Sequence, residues 1–385
     1  MKFALLLMKL IGKLPYGAIL TLGKWFGLLM LKVAKSRRDI AARNIALCFP
    51  ELSDSEQTAL LRKNFISTGQ GLLETAHVWN VSGSRLKTIA QLHGEEHLLN
   101  AKESGSGVIL LAFHLTSLEL GGNTLANYHP MAAMYRQHRN PDFEAAMTHG
   151  REQHVTHMIE REDVRNMLRA LKKGETIWYA ADQDYGAAHS VFAPFFGIDA
   201  ATITATSRFA KMTKAKVVPM THYRDLANKK FHIRIYPEIA DFASLDELQG
   251  AQKINHFLET YLREHPEDYM WLHRRFKTRP EGQAKLYAPK SILKMRRMLD
   301  SHYAKFMSGA EVLRGSLEKP EHIRLANGSE MRFYYDRRWY QKSPAKQDAL
   351  AWQNSGQQDM VIQQLFYYPD KNAEVMHFIS ENADN

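Results

Sequence analysis

The sequence predicts an α/β protein: a layered mixed sheet flanked by helices, preceded by an apolar, basic helix and followed by a small strand-rich module. Three observations lead there. Short apolar runs entered through polar or glycine-containing turns, at 105–113, 176–181 and 217–220, have the length and composition of buried strands. Helix-like stretches at 161–173 and 202–214 separate them, and alternation of this kind builds a layered sheet. Beyond Pro289 the texture changes to alternating residues and turn signals.

The chain has 385 residues, 45% hydrophobic and 24% charged, which excludes disordered, collagen-like and disulfide-scaffold classes. Its single cysteine, Cys48, excludes an internal disulfide and any multi-cysteine metal site. In Ala-Leu-Cys-Phe-Pro it reads as a small buried apolar residue. The net charge of +10 suggests nucleic acid until it is located. Residues 1–38 carry eight basic side chains and no acidic one, and 39–289 is near neutral. A basic, apolar N-terminus on a neutral body points to anionic lipid and away from nucleic acid.

The elements follow in order. Residues 1–36 are rich in Leu, Met, Ile, Phe and Trp, but Lys24 splits the longest apolar run. A span from Ile11 to Leu31 has the length of a bilayer core and would hold Lys24 near its middle, at about 2.5–3.5 kcal/mol. On a helical wheel Lys2, Lys9, Lys13, Lys24 and Lys35 fall within about 80°. That stripe suits a helix lying in the membrane interface, kinked at Pro15. Both readings attach the chain to a membrane, with Lys32–Arg38 on the cytoplasmic side.

Residues 37–80 read as helices, one of them starting near Asp54 in Leu-Ser-Asp-Ser-Glu-Gln. The strand at 105–113 comes next, then those at 176–181 and 217–220, then a helix over 253–264. In the tail, His322–Tyr335 carries Asn327-Gly328 between alternating residues, a hairpin signal, and Pro369–Asn372 divides two apolar stretches. The expected divisions are an anchor at 1–36, a catalytic domain at 37–289 and an extension at 290–385.

Chemistry concentrates where strands end. His114-Leu-Thr-Ser-Leu-Glu119 follows the first strand, and a carboxylate five residues beyond a histidine can orient it as a general base. About two such pairs arise by chance among 18 histidines, and the second, His157/Glu162, lies in a polar, helix-like stretch. Only His114 leaves a buried strand, at the edge where α/β sites form. Trp178–Gly186 ends another strand with Asp182 and Asp184, which otherwise read as an acidic turn. Arg136 and Arg151 suit bidentate contact with phosphate or carboxylate, although an isolated arginine is ordinarily a solvated one. His273-Arg274-Arg275-Phe-Lys277-Thr-Arg279 is a basic run suited to a helix end, nucleic acid or a phosphate headgroup. No Gly-rich nucleotide loop, Gly-x-Ser-x-Gly elbow or His-Glu-x-x-His motif is present, which favours direct attack by an acceptor over a covalent acyl-enzyme.

Taken together these segments resemble the late acyltransferases of lipid A biosynthesis, the lauroyl/myristoyl type within the lysophospholipid and glycerolipid acyltransferase-like superfamily. The likeness runs from Arg37-Arg38-Asp-Ile-Ala-Ala-Arg-Asn through Gly71-Leu-Leu-Glu-Thr, His114–Glu119, Met134-Tyr-Arg136, Gly150-Arg151, Trp178–Gly186 with Phe192–Gly197, and His273–Pro280. It implies an acyl carrier protein as donor, an anionic, Kdo-bearing lipid A precursor as acceptor, and an inner-membrane location with the active domain in the cytoplasm. It implies neither metal nor organic cofactor. The family's His-x-x-x-x-Asp/Glu motif falls on His114 and Glu119, so His114, oriented by Glu119, would deprotonate the acceptor hydroxyl. Arg151 matches the functional arginine as oxyanion donor, and Asp182 would position Arg151 or substrate. Asp184, Arg136, His273, Arg274 and Arg275 would contact the substrate and its phosphates. Family chains generally end soon after the His-Arg-Arg-Phe-Lys motif, so 290–385 is extra. Acyl transfer to another glycolipid or a lysophospholipid, or an inactive membrane-binding homologue, are the alternatives.

Overall fold

A computed structural model describes residues 2–283, 286 and 287, together with five strands in the remainder. The chain divides into two compact units, Met1–Gln283 and Ala284–Asn385. The first opens with helices α1 (Lys2–Gly12), α2 (Tyr16–Val33), α3 (Lys35–Cys48), α4 (Asp54–Val78) and α5 (Gly83–Ile89). Strand β1 (Ala90–His93), α6 (Glu95–Glu103), β2 (Val108–Ala112), α7 (Leu118–Ala126), β3 (Ala132–Tyr135) and α8 (Pro141–Glu152) follow. Then come β4 (Met158–Glu160), α9 (Val164–Lys172), β5 (Thr176–Ala180), β6 (Ser190–Phe195), β7 (Ile198–Ile203), α10 (Ala205–Thr213), β8 (Lys216–Asp225), β9 (Lys230–Ile235) and α11 (Glu247–Glu264).

Seven strands form one sheet in the order β1-β9-β8-β2-β5-β3-β4. Only β8 and β9 pair antiparallel, so the sheet is mixed. All five side chains of β2 are buried, because both its neighbours are strands and helices cover its faces. Strands β6 and β7 form a separate hairpin.

The apolar runs became β2, β5 and β8, as their composition indicated. Helix α9 starts later than the expected 161, at Val164, because the Asp163 side chain accepts the Asn166 N–H as its cap. The stretch with His157 and Glu162 is not helical: Met158–Glu160 pairs with β3 as an edge strand. Thr202 belongs to β7, so α10 begins at Ala205. Helix α11 extends back to Glu247, capped reciprocally by Asp246 and Gln249. The helix expected near Asp54 has Ser53 as its cap, with Glu56 closing the same box.

Helix α2 is, among the described residues, the one long and apolar enough to cross a membrane. It does not stand alone. It runs antiparallel along α4, and glycines bring the two backbones together: a Cβ on Gly23 would collide with Gln70, on Gly27 with Phe65, and on Gly69 with both Gly23 and Gly27. The outward side exposes Leu22, Trp25, Phe26, Leu29 and Val33, and Leu6, Leu7 and Leu10 of α1 are exposed as well. Pro15 separates the two helices.

The second unit is an antiparallel sheet of β10 (Glu311–Gly315), β11 (Pro320–Arg324), β12 (Glu330–Asp336), β13 (Met360–Tyr368) and β14 (Glu374–Glu381), in the order β10-β11-β12-β14-β13. Strands β11 and β12 pair antiparallel around the Asn-Gly signal, as do β13 and β14 around Pro369. The connecting residues 327–328 and 369–372 lie outside the described residues.

Candidate active site

The site forms where β2 and β5 end. These strands are parallel and in register, with Ala112 opposite Ala180. His114 and Asp182 each lie two residues further on, side by side. His114 Nδ1 is 2.8 Å from Asp182 Oδ1, and the His114 backbone N–H donates to both carboxylate oxygens at 3.1 and 3.0 Å. Asp182 is fully buried. Burial pushes its carboxyl up, but the neighbouring imidazole and the hydrogen bonds from His114 outweigh that and hold it below the usual carboxylate range. The Tyr269 hydroxyl donates to the Asp182 carbonyl at 3.3 Å.

His114 and Asp182 line a recess with Gln183, Tyr269, Met270, His273 and Arg275, with room for about one water-sized group. The His114 side chain is 18% exposed, so its ring is accessible while its partner is not. His273 faces the same recess, and burial, with the neighbouring His114 and Arg37, draws its imidazole below the ordinary value.

Glu119 takes a different partner from the one expected. It sits in the first turn of α7, where the helix dipole favours a carboxylate. Its oxygens receive Arg151, from the last turn of α8, through both Nε at 3.1 Å and NH2. Trp79 Nε1 donates at 3.1 Å and Asn123 Nδ2 at 3.3 Å. Burial raises the Glu119 carboxyl, and the Arg151 guanidinium with these donors brings it below the usual range. The sequence leads to the expectation that Glu119 orients His114 and Asp182 positions Arg151 or substrate; here the Asp182 carboxylate holds His114 and Glu119 holds Arg151. The reason is geometric: Nδ1 of His114 already faces the end of the adjacent parallel strand, while Glu119 has entered the next helix and faces α8.

The other candidates divide. Asp184 joins two loops, accepting from the Thr278 N–H at 2.6 Å, the Thr278 hydroxyl at 2.7 Å and the Gly186 N–H at 2.9 Å. Arg275 is 2% exposed and donates to the Ala201 carbonyl, the Thr202 hydroxyl and Asn255 Oδ1, so it is anchored within the fold while it also lines the recess. Its charge still helps keep Asp182 ionised. Arg274 is half-buried beside it, and Arg136 is exposed just past the end of β3. Among the described residues no three His, Cys, Asp or Glu side chains group as a metal site.

Sequence reasoning passed over Trp79, Asn123 and Tyr269. Asn123 stands four residues beyond Glu119 on one helical face, a spacing that could have marked it. Trp79 and Tyr269 reach the site from distant segments and leave no local signal.

Comparison with known proteins places this geometry in context. Residues 2–278 match the model of a family described as bacterial lipid A biosynthesis acyltransferase. The chain is 38% identical over 279 residues to the lipid A biosynthesis lauroyltransferase of Escherichia coli strain K12, covering 72% of this chain and 91% of that protein. It is 37% identical over 276 residues to the palmitoleoyltransferase of the same strain, covering 71% and 90%. The myristoyltransferase of that strain is 27% identical over 273 residues, covering 70% and 83%.

Proposed function

The chain belongs to the bacterial lipid A biosynthesis acyltransferases, a family of O-acyltransferases, and from that premise we propose that it moves a fatty acyl group from acyl carrier protein to a hydroxyl on an acyl chain of a Kdo-bearing lipid A precursor. The observation that carries the mechanism is the His114–Asp182 pair at the joint end of β2 and β5. With Nδ1 held by a buried carboxylate, Nε2 is the nitrogen turned to substrate. It takes the proton of the acceptor hydroxyl as that oxygen attacks the thioester carbonyl. The tetrahedral intermediate collapses with cleavage of the C–S bond, and the proton passes to the departing thiolate. No covalent acyl-enzyme is formed. Glu119, expected to orient His114, instead holds Arg151, to whose guanidinium we assign stabilisation of the oxyanion or binding of an anionic substrate group. Arg136, exposed past the end of β3, half-buried Arg274 and His273, which lines the recess, would meet anionic groups of the acceptor.

The arrangement of the first unit supports a glycerolipid acyltransferase-like fold, with 37–289 as its catalytic domain and 290–385 as an appended module. Exposed Leu22, Trp25, Phe26 and Leu29, with exposed Lys9, Lys13, Lys24 and Lys32, support contact of residues 1–36 with an anionic membrane. The acceptor class favours the cytoplasmic face of the inner membrane. The test is mass spectrometry of lipid A from a host lacking its own late acyltransferase, complemented with this chain or with His114→Ala. One added acyl mass with the wild type alone is expected. No added mass from a membrane-localised wild type would overturn the assignment.

A further inference from the structure

The Gly71–Thr75 segment of α4 has no part in the chemistry above, yet it carries a fully buried carboxylate, Glu74. Its partner is Arg224, from the end of β8, whose side chain is 4% exposed. Arg224 Nε and NH2 each lie 2.7 Å from a Glu74 oxygen, a bidentate fork. The remaining arm, NH1, donates to the Ser67 hydroxyl at 2.7 Å and to the Thr116 hydroxyl at 3.2 Å. Thr116 is two residues beyond His114. Its hydroxyl also meets Ser67 at 2.6 Å, and its N–H donates to the Asp268 carbonyl at 2.6 Å. Met270 N–H holds the His114 carbonyl at 3.0 Å. On the other side, Tyr16 of α2 donates its hydroxyl to Glu74 at 2.9 Å. Helix α4 presses directly on the loop, since a Cβ on Gly71 would collide with the Thr116 carbonyl.

A buried ion pair is weak evidence for stability, because well-packed apolar side chains would commonly do as well. What such a pair supplies is a defined geometry, and here that geometry ends on the loop carrying His114. Resting on the acyl-transfer reading above, we infer that Glu74 and Arg224 are positioning residues for the reaction, setting the 114–117 loop, and that Tyr16 extends their linkage to α2. The Asp182 contact fixes the imidazole ring; the Glu74–Arg224 fork fixes the backbone from which that ring projects. Neither residue touches the reacting atoms.

The test uses the full-length chain with Arg224→Lys, Glu74→Gln and the milder Tyr16→Phe, which removes one hydroxyl. Two measurements are made: acyl transfer from dodecanoyl-acyl carrier protein to a Kdo-bearing lipid A precursor, and hydrogen exchange of the 113–119 peptide. Arg224→Lys and Glu74→Gln are expected to lower kcat by about 10–100-fold with KM for the donor within about 2-fold. They should speed exchange in 113–119 while 108–112 stays protected. Tyr16→Phe should lower kcat by a few-fold and add little in the Arg224→Lys background. Folded variants with unchanged kcat and unchanged loop exchange would overturn the inference. So would loss of activity matched only by a smaller folded fraction, with kcat per folded molecule unaltered. The exchange measurement needs no substrate. An inactive wild type would therefore count against the acyl-transfer reading, while loop exchange would still decide the positioning claim.

Discussion

His114 and Asp182 are 68 residues apart in sequence and 2.8 Å apart in space, because β2 and β5 run parallel in register and stop at the same level. The contact lies just beyond the paired strand ends, so the register of the sheet brings together the two loop residues that make it. Asp182→Asn should retain the fold but present the wrong hydrogen-bonding partner to Nδ1. We expect kcat to fall by roughly 10²–10⁴-fold with little change in KM, read by steady-state acyl transfer.

Glu119→Gln tests the exchanged pairing. It leaves His114 its carboxylate and weakens the hold on Arg151. With Asp182 orienting His114 and Glu119 holding Arg151, Glu119→Gln should add little further loss of kcat in the Arg151→Met background, whereas Asp182→Asn should add its full loss there. Full additivity of Glu119→Gln with Arg151→Met, together with non-additivity of Glu119→Gln with His114→Ala, would restore the pairing read from sequence.

Arg151→Met leaves the largely enclosed Glu119 carboxylate, 13% exposed, without its cation. Removing one partner of a fully buried pair costs about 3–5 kcal/mol, and residual solvent contact lowers that here, so a smaller but measurable loss of stability is expected in denaturant unfolding. Arg151→Met combined with Glu119→Leu should recover much of it without recovering activity.

Two buried groups around Arg224 oppose one another in acid. Burial raises the Asp268 carboxyl to about 7 despite Arg224, while burial and Arg224 lower His222 to about 3. Between the unfolded carboxylate value and 7 the folded state binds the extra proton at Asp268, so that residue makes stability fall as pH rises. Between 3 and the unfolded imidazole value the unfolded state binds the extra proton at His222, so stability rises with pH. Each slope approaches about 1.4 kcal/mol per pH unit. Relative to wild type, Asp268→Asn should steepen the rise of stability from pH 4.5 to 6, and His222→Gln should flatten or reverse it, as read by thermal unfolding.

Trp25 and Phe26 are 65% and 41% exposed on the outward side of α2. Replacing both with Ser should weaken binding to vesicles containing anionic phospholipid by about 10-fold or more without altering thermal stability. Co-sedimentation at two salt concentrations would measure it, with the lysine contribution fading at high salt.

The sheet was legible because its central strands are continuous apolar runs, and Val108–Ala112 admits little else. The candidate residues were legible as a set, since strand ends are where polar groups converge. Their pairing was not. Glu119 looked like the partner of His114 because five residues separate them, whereas the partner comes from the neighbouring strand. Register between parallel strands depends on crossovers that local pattern does not encode. Glu74 and Arg224, separated by 150 residues, were hidden for the same reason. Residues around His157 misled in the opposite sense: three residues of edge strand are too short to show a period.

Contacts between α2 and α4 through Gly23, Gly27 and Gly69 have a practical consequence. A tether can be clipped off or exchanged for another apolar segment; a helix seated this closely is a wall of the enzyme. Cutting away residues 1–33 would uncover the α4 face around Phe65 and Gln70 and leave Glu74 without the Tyr16 hydroxyl. A water-soluble form should therefore be sought by recolouring the outward side at Leu22, Trp25, Phe26 and Leu29 with polar side chains, while the glycine side is left untouched.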